Sequence, residues 1–122
     1  MTRSTTAATN AEQLRWQVRS TYLMLDLIHR GQRESLPPVT WTVGDAGAFL
    51  LIRCYTRAGW HAWVMASGVD QVWPEGLHAG FLHLHAVGDV PTPDGGRVKV
   101  AVIADLNDDG GAESDRPLKW AP

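Results

Sequence analysis

The chain has one cysteine, Cys54, in 122 residues, which excludes an internal disulfide and makes a fold that depends on oxidation untenable. No apolar run approaches the roughly 18 residues of a membrane-spanning helix, and the N-terminus has no apolar signal-peptide core, so the expected location is cytoplasmic. There is no surplus of positive charge. A formal charge of −2 argues against a binder driven by nucleic-acid phosphates, and Arg15, Arg19, Arg30 and Arg33 form only a short, interrupted basic cluster. No GxSxG, P-loop, dinucleotide fingerprint, CxxC or HExxH occurs, and no internal repeat. No serine or threonine has a convincing base beside it. The residues name no reaction, which favours a non-enzymatic protein.

What the chain does have is ordinary globular composition, 44% apolar and 20% charged, in a length that makes one domain with a real core. It also has six tryptophans: Trp16, Trp41, Trp60, Trp63, Trp73 and Trp120. A core this small can hide a few of them, so others should line a pocket or an interface.

The clearest pattern runs from Phe81 to Leu106. FLHLHAVG and RVKVAVIADL alternate with period two on either side of the turn-rich DVPTPDGG. This predicts a hairpin with Leu82, Leu84 and Ala86 facing the same core as Val98, Val100 and Val102. A shorter hairpin is predicted upstream, VTWTV and AFLLIRCY joined by Gly44–Gly47, entered from the stiff Leu36-Pro37-Pro38. The uninterrupted apolar run of its second strand suits a central position. Cys54 within it reads as a buried, inert thiol.

Residues 1–10 are small and polar and read as a disordered leader. Asn10 is a plausible cap for a helix from Ala11 to about Arg30, stopped by Gly31. That helix carries two apolar stripes. Leu14, Val18, Tyr22 (or Thr21), Leu25 and Ile28 are expected to face the sheet. Trp16, Leu23 and Leu27, with Ser20 between them, form a second stripe open to a partner.

The segment TRAGWHAWVMASG reads in two ways. As a strand it alternates Trp60, Ala62 and Val64 against His61, Trp63 and Met65. As a helix it has Thr56 as N-cap and Gly68 as C-cap, with Trp60, Trp63 and Val64 on one face, and its composition favours this. VDQVWPEGLHAG reads as a loop with Trp73-Pro74 on the core edge. Residues 107–122 read as an acidic, flexible tail.

The expected fold is therefore α+β, in the order αββαββ: a four-stranded antiparallel sheet over residues 11–106 with two helices on one face. The other face would carry Thr40, Thr42, His83, His85, Arg97 and Lys99.

Two constellations bear on metals. His83 and His85 stand two apart on a strand, so both imidazoles share a face and could bind one zinc or non-haem metal ion, with further ligands from elsewhere, His61 and His78 among the candidates; the alternative reading is therefore a metal-dependent enzyme or metal-binding protein. Asp105, Asn107 and Asp109 followed by Gly110 match the front half of a calcium loop, but position twelve is Arg116 instead of glutamate. The strand running into ADLNDDG resembles the strand-loop calcium motif of integrin-type propeller repeats over about a dozen residues. Neither pattern dictates a cofactor, and the solvated reading of each is simpler.

At three blocks, LPPVTWTVGDAGAFL, GWHAWVMASG and FLHLHAVGDV with GGRVKVAVIADL, the chain resembles small uncharacterised proteins of high-GC actinomycetes, over about residues 12 to 108. The resemblance implies a helix at 57–67 and no particular activity. Taken together, the sequence favours an interaction module, homodimeric or bound to another protein or a small ligand, with Trp16, Leu23, Leu27, Trp60, Trp63 and Trp73 as its contact residues.

Overall fold

The computed structural model describes residues 8–44 and 47–107. The chain is α+β, and the described residues form two helices and six strands: α1 (Asn10–Glu34), β1 (Thr40–Val43), β2 (Phe49–Cys54), α2 (Arg57–Ser67), β3 (Gln71–Val72), β4 (Gly76–His78), β5 (Phe81–Pro91) and β6 (Arg97–Asn107).

Helix α1 starts at Thr9, one residue before the expected cap. The Thr9 hydroxyl accepts from the Glu12 amide while the Glu12 carboxylate accepts from the Thr9 amide, a reciprocal capping box. Those bonds hold the Glu12 carboxyl below its ordinary range. The helix does not stop at Gly31. It continues to Glu34 and ends on Ser35 in the left-handed conformation, just before Leu36-Pro37. Gly31 is instead a point of close approach: a Cβ there would stand 2.9 Å from Cη2 of Trp63. Helix α2 has the ends its sequence announces, Thr56 accepting from the Gly59 amide and Gly68 closing in the left-handed region.

Both expected hairpins form, β1 with β2 and β5 with β6. The sheet they build differs from the expected four-stranded antiparallel one. It is an open, mixed sheet of six strands in the order β1-β2-β6-β5-β3, with β4 also on β5, and β2 runs parallel to β6. The reason lies in the path of the chain. Helix α2 runs back along the sheet from the end of β2, so the chain must climb again before β5 can begin. The stretch read as a loop makes that climb as β3 and β4, both paired along β5. Then β6 inserts between β5 and β2.

The core lies between the helices and one sheet face. Leu50, Ile52, Cys54, Leu84, Ala86, Val98, Val100, Val102 and Ala104 point from the strands into Leu23, Leu27, Trp60, Trp63 and Ala66. Trp60 donates its indole N–H to the Val102 carbonyl at 2.9 Å, and Trp63 donates to that of Pro37 at 2.8 Å. Cys54 is fully buried, and burial pushes its thiol up to about 12. Gly88 is required where the chain leaving α2 crosses β5, since a Cβ there would meet the Val69 Cα at 2.8 Å.

Candidate functional site

With both helices on one face, the described residues leave the open face of the sheet and the outer side of α1 as broad surfaces.

The open face is built by the alternate strand residues that the core does not take. Pairing brings His83 opposite Asp105, and His85 opposite Ile103, which in turn lies beside Arg53 of β2. Asp105 is thereby shared: its carboxylate pairs with the His83 imidazole and with Arg53 at 3.4 Å. His85 points the same way but meets Trp73, whose ring centroid lies 4.4 Å away and whose amide donates to the His85 carbonyl. Desolvation in this stack lowers the His85 pKa. The two histidines therefore share a face, as their spacing predicts, yet each has a different neighbour. Among the described residues no group of three His, Cys, Asp or Glu side chains converges on a metal position. Of the calcium-loop residues, Asp105 and Asn107 end strand β6, with the Asp105 carboxylate between two basic groups, while Asp109 lies outside the described residues.

Further down this face, Asp70, Asp89, Arg97 and Lys99 surround a polar cleft of about 320 Å³. Along the β3–β4 edge, Val72, Trp73 and Leu77 are exposed. Trp73 is thus the one tryptophan of the expected contact set that stands largely in solvent.

The other contact candidates sit elsewhere than expected. Leu23 and Leu27 are buried in the core, as are Trp60 and Trp63, and Trp16 is half-buried. Helix α1 packs with the stripe of Ser20, Leu23, Leu27 and Gly31 inward. Leu14, Val18, Tyr22 and Leu25, which the periodicity placed against the sheet, face outward with 60%, 52%, 68% and 46% of their surface exposed. The two stripes are similarly apolar, so periodicity alone could not rank them. A signal that could have done so is residue size: the inward stripe carries the small Ser20 and Gly31, which let the helix come close to the sheet and to Trp63.

A groove of about 370 Å³ runs beside the outward stripe, between α1 and the β5–β6 turn. Val18, Tyr22, Leu25 and Pro93 give it apolar walls, with Arg15 and Asp26 at the rim. The turn is pinned there. The Asp94 carboxylate accepts from Arg19 Nε at 3.0 Å, from the Gly96 amide at 3.0 Å and from the Thr92 hydroxyl. These donors, Thr92 first, bring the Asp94 carboxyl down to about 2. Of the basic cluster on this helix, Arg19 is thus paired, and Arg30 pairs with Glu34 at 2.8 Å and donates to the Ala66 carbonyl at 2.7 Å.

A second cleft, about 270 Å³, is lined by Ile28, Leu36, Pro37, Trp41 and Trp63, with the Trp41 and Trp63 rings edge to face at 5.2 Å.

No described helix is long and apolar enough to cross a membrane. No family model, no curated protein and no solved structure matches the chain.

Proposed function

We propose that this chain is a non-enzymatic interaction module of the cytoplasm, and that it binds a protein through the outward stripe of α1. One observation carries the reading. Four large apolar side chains recur about once per turn on the side of the helix opposite its buried face, and all four are close to half exposed or more. Large contiguous apolar surface of this kind marks a place where something docks.

The magnitudes are modest and instructive. Burying such a side chain fully contributes about 1.5–3 kcal/mol. Since these are about half exposed, covering all four contributes on the order of 3–6 kcal/mol. Association costs about 4 kcal/mol or more in lost freedom. The stripe therefore supplies a contact surface but needs help from its surroundings, which the adjacent groove and the charges at its rim provide.

A photoreactive residue placed at position 22 tests the reading in the native cell. It is expected to form protein adducts there, whereas the same residue at position 89, on the opposite side of the sheet, forms none. No adduct at position 22, or equal yields from both positions, would defeat it.

A further inference from the structure

We infer that the occupant of the α1 stripe is a second copy of this chain, packed antiparallel about a twofold axis near residues 20 and 21. The inference rests on the interaction-module reading and names the partner of that surface.

The spacing supports a helix–helix seam. Leu14, Val18, Thr21 and Leu25, all exposed, follow one another at intervals of four, three and four, the repeat by which one helix packs along another, with Tyr22 beside Thr21. Helix α1 is 25 residues long, and an axis near residues 20 and 21 falls close to its middle, so most of its length can take part.

The charges select the direction. Residues rise about 1.5 Å each along a helix, so those equally far on either side of the axis come level in an antiparallel pair. Arg15 of one copy then comes level with Asp26 of the other, and the reverse, while Val18 comes level with Tyr22 and Leu14 with Leu25 to within about two residues. Arg15 and Asp26 also lie on the same flank of α1, the one bordering the β5–β6 turn, since both line the groove there. The twofold axis keeps like flanks together, so each arginine reaches a carboxylate. Among the described residues, neither Arg15 nor Asp26 forms a salt bridge within its own chain, Arg15 acting on the Glu12 carboxylate only through a weaker, longer-range attraction, whereas the neighbouring Arg19 is committed to Asp94. In a parallel pair Arg15 would come level with Arg15 and Asp26 with Asp26, on opposite sides of the seam, so neither charge would reach its opposite. Antiparallel packing also opposes the two helix dipoles favourably.

The groove gives the second copy somewhere to insert. Its apolar walls start at Val18, the position that Tyr22 of the other copy reaches, and about 370 Å³ is ample for one aromatic side chain. Tyr22 is the most exposed of the four, at 68%.

Light scattering on the purified chain tests this. The expected mass is twice the 13.4 kDa of one chain. Val18→Glu and Tyr22→Glu, each checked for an unchanged circular dichroism spectrum, are expected to weaken the dimer at least about tenfold. Arg15→Glu and Asp26→Arg should each weaken it several-fold, and the double variant R15E/D26R should recover most of the loss, because antiparallel packing restores the pair. A dimer indifferent to Val18→Glu and Tyr22→Glu overturns the proposal, as does a double variant weaker than either single one. A monomer that still gives adducts of position 22 with a different protein overturns the self-association and leaves the interaction-module reading standing. A monomer with no adducts ends both.

Discussion

The benzo ring of Trp63 lies directly over Gly31, so that a Cβ on the glycine would come within 2.9 Å of Cη2 and 3.1 Å of Cζ2. This contact fixes how α1 sits on α2, and with it which stripe of α1 is spent on the core.

Gly31→Ala sets two effects against each other. Alanine in a helix interior is favoured over glycine by about 1 kcal/mol, while forcing a methyl into a packed contact costs about 1–3 kcal/mol. A net loss of about 1 kcal/mol is expected, read as a lower midpoint in urea. In a Trp63→Phe background, where the crowding atoms are gone, the same substitution should become stabilising. An unchanged sign in the two backgrounds would show that the contact does not limit the helix.

The buried indole N–H of Trp60 gives a second test. Trp60→Phe keeps an aromatic ring on α2 but leaves the Val102 carbonyl without this donor and opens a gap against β6. A loss of about 2 kcal/mol is expected, from the lost hydrogen bond (about 1 kcal/mol) together with the gap left beside β6. Equilibrium unfolding measures it directly, and a change near zero would place a water or another donor on that carbonyl.

Acid should loosen the β5–β6 turn. The Asp94 carboxyl falls from an ordinary 3.8 to about 2, through Thr92, Arg19 and the Gly96 amide. A depressed folded-state pKa means that the contribution is complete above about pH 4 and is lost as the pH falls through about 2. Amide exchange at Gly95 and Gly96 should therefore quicken over that window, beyond its intrinsic pH dependence. In Asp94→Asn the extra response should be absent, and its persistence would assign it to another group.

At the other end of the scale, the Cys54 thiol is raised by burial to about 12. A raised folded-state pKa keeps the neutral thiol inside, so stability is full below the ordinary thiol value of 9 and falls as the pH climbs towards about 12. In the native protein a disulfide reagent should label Cys54 only as fast as the chain opens. Rapid labelling at neutral pH would mean that the thiol is reachable.

Some of this was legible in the chain and some was not. Thr56 and Gly68 announce α2 because capping is chemistry between near neighbours. The alternation in FLHLHAVG and RVKVAVIADL announces β5 and β6, and it correctly separates Leu84, Ala86, Val98, Val100 and Val102 from the open face with His83 and His85. The stretch Gln71–His78 was not legible, because two short strands with Gly, Pro and a single tryptophan read locally as a loop and pair only because β5 offers them an edge.

The sequence by itself determined the elements whose cause lies within a few residues: the caps of α2, the two hairpins and the alternation that makes one strand face apolar, while the ends of α1 lie at Thr9 and Ser35 instead of Asn10 and Gly31. Only the tertiary structure decided what depends on distant partners. It set β2 parallel to β6, since α2 and the climb through β3 and β4 fix the direction in which the last hairpin arrives. It drew Trp60 and Trp63 inward to carbonyls of Val102 and Pro37, far away in sequence. And it turned Ser20 and Gly31 inward, Gly31 against Trp63 of α2, because small residues permit the closest packing, which left Leu14, Val18, Tyr22 and Leu25 facing outward.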